Sequence, residues 1–384
     1  MKKGWEYKKL GDVCTFINGF AFKSNKFTNE GSPIIRISDI QNGMVDDTNV
    51  VYFDINSYSE NLSKYKVYPN DILIAMSGGT TGKIGINYTN KEFYLNQRVG
   101  VFRENTSVLN HMFLFYFLQT KGTESLVIAA GAAQPNLSTA QIKNFVIPLP
   151  PLSEQKEIVE YLDSSFAKIE TLKANAAKNL DEAKALFQSA LKEALEPKKG
   201  WEEKTINDVV LFRNGIAHEK DIDKGGNYIV INSKFVATEG TIRKYTNEQL
   251  SPLYTNEIVM VMSDVPKGKT LAKCYIIDCD NKYSLNQRIC AFKSKGLDVK
   301  FLYYMLNRNP NLLKYDNGEN QTNLRKNQIL ECPVTYPVQK NEQQEIVDKL
   351  DSLKSKVDRL QENFDKISME CDALKQAILR QVFE

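Results

Sequence analysis

Two stretches of this chain carry apolar residues at helical spacing for far longer than a globular helix needs. From Ser153 to Glu196 the sequence runs 44 residues without Gly or Pro. As one helix it would be roughly 66 Å long at about 1.5 Å per residue. The second stretch, residues 341–384, sets Ile346, Leu350, Leu353, Val357, Leu360, Phe364, Ile367, Cys371, Leu374 and Ile378 at steps of 4-3-4-3-4-3-4-3-4, the seam of a coiled coil. In the first stretch the same steps fall on Ile158, Leu162, Ser165, Ile169, Leu172, Ala176, Asn179, Ala183, Leu186 and Ala190, while Phe166, Leu180 and Phe187 widen the apolar face. A seam with so many small residues needs a partner. Packing the second rod back along the first buries both, which predicts an antiparallel two-helix coiled coil with a globular domain at each end and a pseudo-two-fold axis. The competing arrangement pairs the second rod with another molecule.

The rest of the chain changes to short apolar runs bounded by Asn, Gly and Pro. Ile34–Ile37, Ile72–Ala75, Ile84–Ile86 and Val99–Phe102 predict strands, and His111–Leu118 a helix. Tyr228–Ile231, Ile258–Val261, Cys274–Ile277, Ile289–Phe292 and the helical Val299–Leu306 repeat that order. The expected fold class is α+β, with two similar mixed α/β domains separated by two long helices. The expected boundaries are residues 1–152 for the first domain, 153–196 for the first helix, 197–340 for the second domain and 341–384 for the second helix.

Matching words in the two halves make this an internal repeat. Lys2-Lys3-Gly4-Trp5-Glu6 returns as Lys198-Lys199-Gly200-Trp201-Glu202, and Phe16-x-Asn18-Gly19 as Phe212-x-Asn214-Gly215. NDILIAMS from Asn70 matches NEIVMVMS from Asn256, and Leu95-Asn96-Gln97-Arg98 matches Leu285-Asn286-Gln287-Arg288. Gln134-x-Asn136-Leu137 matches Gln321-x-Asn323-Leu324, and Glu154-Gln155 matches Glu342-Gln343. Each unit is about half the protein, too long for a solenoid repeat and the size of a domain.

Composition then narrows the function. The 384 residues are 42% hydrophobic and 25% charged, with neither an apolar run long enough to span a membrane nor an apolar segment behind the basic N-terminus. A cytoplasmic protein is expected. The net charge of +3 hides a separation: the two rods total −6, so the globular parts total +9. Basic domains beside acidic rods suit a polyanionic partner. Among the six cysteines only Cys274 and Cys279 lie close together, at a spacing unlike that of zinc sites, so no metal is expected.

Catalytic groupings are sparse. His111 and His218 have no shared position in the repeat, and no glycine fingerprint, HExxH or GxSxG is present. Ser77-Gly78-Gly79-Thr80-Thr81-Gly82-Lys83 is one residue short of a phosphate loop, and the second half has Ser263 to Lys269 (SDVPKGK) at that place. Two readings remain for it: a backbone cradle for a nucleic-acid phosphate, or a plain turn. Asn96-Gln97-Arg98 and Asn286-Gln287-Arg288 also carry two readings. Amide and guanidinium groups read adenine and guanine edges bidentately, yet identity in both halves suits a scaffold. Loop residues that differ between halves are the better candidates for specificity. The candidate DNA contacts are Lys23, Lys26, Arg36, Lys83, Arg98, Gln134, Asn136 and Lys143 in the first half. In the second they are Arg213, Lys220, Lys234, Arg243, Lys244, Lys267, Lys269, Arg288, Gln321, Asn323, Arg325 and Lys326.

The segment Pro148-Leu149-Pro150-Pro151-Leu152-Ser153-Glu154-Gln155-Lys156-Glu157-Ile158 resembles the start of the helical spacer in specificity subunits of Type I restriction-modification systems. The Trp5 and Trp201 openings, the NDILIAMS and LNQR segments and the order globular, rod, globular, rod extend the resemblance over nearly the whole chain. It implies two target recognition domains, each reading one half of a bipartite asymmetric double-stranded DNA sequence. It implies helices that hold them apart and dock two methyltransferase subunits, with restriction subunits in the full assembly. It also implies a subunit without catalysis or cofactor of its own, S-adenosylmethionine, ATP and Mg belonging to the partners. The second copy departs from the pattern: Tyr336-Pro337-Val338-Gln339-Lys340-Asn341-Glu342-Gln343 lacks the Pro-x-Pro-Pro run, with Asn341 as a candidate cap. A coiled-coil adapter between proteins is the alternative function, and a DNA enzyme acting alone is a further one.

Overall fold

The computed structural model describes residues 4–129, 136–218, 222–266 and 268–384. The chain forms two compact units, Met1–Ala177 with Phe364–Glu384, and Lys178–Asn363. Each holds one globular domain and a share of each long helix.

In the first unit the apolar run Ile72–Ala75 is buried on both faces and sits near the middle of a six-stranded sheet. Its order is Cys14–Asn18, Val99–Glu104, Ile72–Ala75, Ile84–Ile86, Gly43–Val45, Ile40–Gln41. A five-stranded sheet of Phe27–Thr28, Val51–Phe53, Ser32–Ile35, Phe93–Leu95 and Lys66–Val67 completes the domain. The second unit keeps the centre of this plan and drops its edges. Val210–Asn214, Ile289–Ser294, Ile258–Val261 and Cys274–Ile276 form four strands, and Lys244–Thr246, Tyr228–Ile231 and Tyr283–Leu285 form three. The turn leading into each central strand needs a left-handed residue, which Asn70 (φ 66°) and Asn256 (φ 68°) supply. In both units a two-stranded antiparallel ribbon joins the start of the domain to the strand before a long helix. Glu6–Lys9 pairs with Val146–Leu149, and Trp201–Thr205 with Pro333–Pro337.

The long helices are Leu152–Ala194 and Lys340–Phe383. In the first unit they run antiparallel: Lys173 pairs with Asp372 at 3.2 Å, Lys375 pairs with Glu170, and Phe383 packs edge-to-face with Phe113 (5.0 Å) and Phe117 (5.8 Å). The second unit has the same antiparallel sense, with Lys184 donating to Gln361 (2.8 Å) and Lys349 facing Glu193 (3.9 Å). Its core gathers Phe301, Leu302 and Leu306 of the helix Val299–Leu306 with Leu350 and Ala194.

The seam of the first helix differs from the spacing prediction. Leu172 and Leu186 are 55% and 63% exposed, while Leu162, Ile169, Leu180 and Ala190 are buried and Phe166, Ala176, Ala183 and Phe187 half-buried. The sheltered stripe therefore steps through Leu162, Phe166, Ile169, Lys173, Ala176, Leu180, Ala183, Phe187 and Ala190. One set of heptad positions lies a residue later than predicted. Large aromatic surface wins over regular continuation of the count: Phe166 packs on Tyr116 (5.5 Å) and Phe187 on Tyr304 (6.4 Å). In the second helix Leu374 is likewise 49% exposed, beside half-buried Lys375 and buried Cys371. Ile346 and Leu350 are buried, and Leu353, Val357, Leu360, Phe364, Ile367 and Ile378 half-buried, as is Ile158 in the first helix. Asn341 is not a cap, because the helix has already begun at Lys340.

Candidate nucleic-acid interface

The backbone at the end of each central strand brings three separate segments together. Met76 N–H donates to the Arg98 carbonyl (2.8 Å), Leu137 N–H donates to Met76 (2.8 Å), and Ser77 bridges Asn136. Met262 to Arg288 (3.0 Å), Leu324 to Met262 (2.7 Å) and the strand pair Ser263–Asn323 repeat this in the second unit. Each site thus consists of a loop after the central strand, an arginine turn, and a returning strand with an exposed Asn.

The arginine turn explains two of the repeated words at once. Val99 N–H closes it on the Asn96 carbonyl (2.9 Å), and Ile289 N–H on that of Asn286 (3.0 Å). Those carbonyls lie against Gly19 and Gly215, where a Cβ would stand 2.0 and 2.1 Å from the oxygen. Only glycine fits, so FxNG and LNQR are the two sides of one contact. The asparagines act through their backbones as scaffold. The arginines are exposed: Arg98 donates to the Asn136 side chain (2.9 Å), and Arg288 stands exposed at the equivalent place. A guanidinium held beside an amide on a rigid turn offers donors in a fixed plane, which suits base edges or phosphate oxygens.

The glycine-rich loop is a turn, and its counterpart is not the one expected. Ala75 accepts from Gly82 N–H and donates to the Lys83 carbonyl, as Val261 accepts from Ala272 N–H and donates to the Lys273 carbonyl. Gly82 (φ 82°) and Ala272 (φ 55°) share the left-handed conformation. Lys83 therefore corresponds to Lys273, not Lys269. Lys83 is exposed, whereas Lys273 donates to the Ala237 carbonyl (2.9 Å) and faces Glu239 (3.4 Å). The loop at residues 262–272 is longer than its counterpart at 76–82, and Asp264 organises it. The Asp264 carboxylate accepts from the N–H of Val265 (2.9 Å), Thr270 (2.6 Å) and Leu271 (3.0 Å). Burial raises its pKa, but these bonds outweigh burial and hold it below the ordinary carboxylate value. A Cβ on Gly268 would stand 2.2 Å from the carboxylate.

The remaining candidates separate into two groups. Three have their charged heads paired within the domains. Arg36 pairs with buried Asp39 and donates to the Asn49 carbonyl (3.0 Å). Arg213 pairs with buried Glu257 (2.6 Å) and reaches Ser251. Lys26 donates to the Ser57 carbonyl and lies over the Tyr58 ring at 4.3 Å. Lys23, Lys143, Lys234, Lys244, Lys269 and Arg325 are exposed. Arg243 is exposed and bonded to the Gly240 carbonyl (2.8 Å), and Lys326 is exposed over the Phe212 ring at 5.5 Å. Gln321 donates to Ser263 (2.9 Å), which ties the returning strand to the long loop. Gln134, Lys220 and Lys267 lie outside the described residues. Sequence reasoning missed Asp264 and Lys273. The signal for Lys273 was present, since LNQR recurs at the same spacing that separates Lys83 from Lys273.

His218 is buried between the Ile216 carbonyl (2.7 Å) and Ser284 (2.8 Å), and His111 lies against Glu104 (3.1 Å), so both serve the fold. Among the described residues no group of three or more His, Cys, Asp or Glu side chains could hold a metal ion. Among them, too, no helix is long and apolar enough to cross a membrane.

The model of the Type I restriction modification DNA specificity domain matches residues 2–179 and, a second time, residues 198–367. The chain belongs to that family. The Type I specificity subunit StySPI of Salmonella potsdam is 24% identical over all of this chain and 89% of its own length. The EcoKI specificity subunit of Escherichia coli K12 is 31% identical over 45% of this chain and 39% of its own. Among solved structures, a chain from a study of complex assembly and conformational transition in the type I R-M system aligns with a TM-score of 0.76, at 18% identity, over 99% of this chain and 98% of that one. The HsdS subunit of Thermoanaerobacter tengcongensis aligns with a TM-score of 0.55, at 19% identity, over 100% and 97%. Both likenesses are of fold. The chain is accordingly a DNA-recognition specificity subunit, and these relatives give no support to a coiled-coil adapter.

Proposed function

We propose that this chain is the non-catalytic DNA-recognition subunit of a Type I restriction-modification complex. Each globular domain reads one half of a bipartite asymmetric target. The paired helices set the gap and dock two methyltransferase subunits, and restriction subunits join the full assembly in the cytoplasm. S-adenosylmethionine, ATP and Mg act in those partners. The observation that carries the reading is that one scaffold, the glycine-backed arginine turn, recurs beneath loops of different length and chemistry. A shared frame with unlike loops is what two different half-sites require. The exposed lysines and arginines around each turn supply phosphate contacts, which position the DNA without reading it.

The test uses the chain assembled with its modification subunits and duplexes of varied gap. Insertion of one helical turn, about 5.4 Å, at matching places in both helices lengthens the preferred gap by about one to two base pairs of roughly 3.4 Å each. An unchanged gap contradicts the role of the helices. Binding that ignores salt contradicts phosphate contact altogether and returns the chain to a protein adapter.

A further inference from the structure

The start of each long helix is fastened to its domain at three side-chain anchors that recur in both units. The indole N–H of Trp5 donates to Glu154 (2.9 Å), and that of Trp201 to Glu342 (2.8 Å). The next residue is a buried glutamine, with Gln155 at 0% and Gln343 at 2% exposure. Gln155 accepts from Asn110 N–H (2.7 Å) and donates to the carbonyls of Val108 (2.9 Å) and Pro150 (2.8 Å). Gln343 accepts from Asp298 N–H (2.8 Å) and donates to the Pro337 carbonyl (2.8 Å). Further along, the buried Tyr116 hydroxyl donates to Asp163, and that of Tyr304 to Asp351 (2.6 Å). Burial and these carboxylates push both phenols above their ordinary pKa, so each remains a donor.

The first and last anchors are nine residues apart on the helix, roughly 13 Å at about 1.5 Å per residue. A helix held at one end can pivot; one held at three points over two and a half turns cannot. Rotating either glutamine away leaves buried backbone groups without partners, at about 1–3 kcal/mol each. The clamp survives where the sequence before the helix does not, since the Pro-x-Pro-Pro run is absent from the second copy and the same three anchors form there.

We infer that Trp5, Glu154, Gln155, Tyr116 and Asp163, with Trp201, Glu342, Gln343, Tyr304 and Asp351, are positioning residues for DNA recognition: they fix the direction in which each domain leaves its helix and so make gap selection sharp. The inference rests on the proposed reading of a bipartite target. Two linked sites gain effective concentration only where their geometry matches the DNA, and a pivoting domain spreads that gain over several gaps.

Tyr116→Phe with Tyr304→Phe removes one anchor from each clamp and keeps the rings, while Gln155→Met with Gln343→Met removes the central one at similar volume. Both doubles are assembled with the modification subunits and measured on duplexes with the preferred gap, on gaps one base pair shorter and longer, and on single half-sites. Hydrogen exchange over residues 152–163 and 340–351 is followed in parallel. The expected result is faster exchange in those segments, half-site binding within about twofold of the parent, and discrimination between gaps reduced by about fivefold or more. If exchange accelerates and gap discrimination stays at the parental value, the clamp only stabilises the fold and the inference fails. Equal losses on half-sites and full sites overturn it in the same way. The tyrosine pair decides the matter if the glutamine pair does not fold. A parent complex with no gap preference at all instead removes the bipartite reading, which separates that failure from failure of the clamp.

Discussion

The two globular domains solve one problem with different side chains. In each, a carboxylate after the left-handed Asn caps the preceding turn, Asp71 accepting from Tyr68 N–H (2.8 Å) and Glu257 from Tyr254 N–H (2.9 Å). In each, an arginine neutralises that carboxylate. The arginine comes from a different strand: Arg103 lies on Val99–Glu104, whereas Arg213 lies on Val210–Asn214. Backbone geometry and the need to pair a buried charge are held constant, and the side chains that satisfy them are exchanged. The loops after the central strands go further, with a short turn in one domain and an Asp264-centred loop in the other. What stays fixed is the frame that presents a loop.

The sharpest way to break this comparison is at the frame. Gly19→Ala and Gly215→Ala each drive a Cβ into a carbonyl, and each should destabilise its own domain by about 3 kcal/mol, seen as a lower urea midpoint of that domain's transition. Equal tolerance of both would mean that the arginine turns are not held as described. Arg213→Ala strands the Glu257 carboxylate and should cost about 2–3 kcal/mol in the second domain alone. Arg103→Ala should act in the first domain alone, and any crossing of these effects contradicts the exchange of arginines.

Asp264→Asn tests the loop that only one domain has. Because the folded-state pKa of Asp264 lies below its unfolded value, its contribution is present above about pH 4 and fades as pH falls through the folded value. The substitution should remove that acid-side dependence from the second domain, cost about 1 kcal/mol at neutral pH and weaken second-half recognition. The smallest effect is expected at the two exposed leucines of the first long helix. Leu172→Ser and Leu186→Ser should change stability by about 0.5 kcal/mol or less, while Leu162→Ala and Leu180→Ala should each cost about 2–5 kcal/mol. The reverse order in thermal unfolding would restore the seam read from spacing alone.

The long helices, the repeat and most strands were legible because period and order survive in sequence even as residues drift. Ile72–Ala75, Ile84–Ile86, Tyr228–Ile231, Ile258–Val261 and Val299–Leu306 form the elements their patterns predict. The seam was half legible. Apolar count places Leu172 and Leu186 as well inside as outside, and only the neighbouring Tyr116 and Tyr304 decide for Phe166 and Phe187. The candidate site was legible as a list of types and illegible as geometry. Nothing local distinguishes Arg213, consumed by Glu257, from Arg288, exposed on its turn, because the difference lies in partners distant along the chain.

The central claim is that each domain reads one half of a bipartite target through loops on a shared frame. Mapping of modified bases in the DNA of cells carrying the complex with Arg288→Ala tests it most directly. The account predicts that the second half of the recognised sequence becomes degenerate at about 1–3 kcal/mol of lost discrimination, with the first half and the gap unchanged. Loss of specificity in both halves together, or a target identical to the parent's, would contradict it.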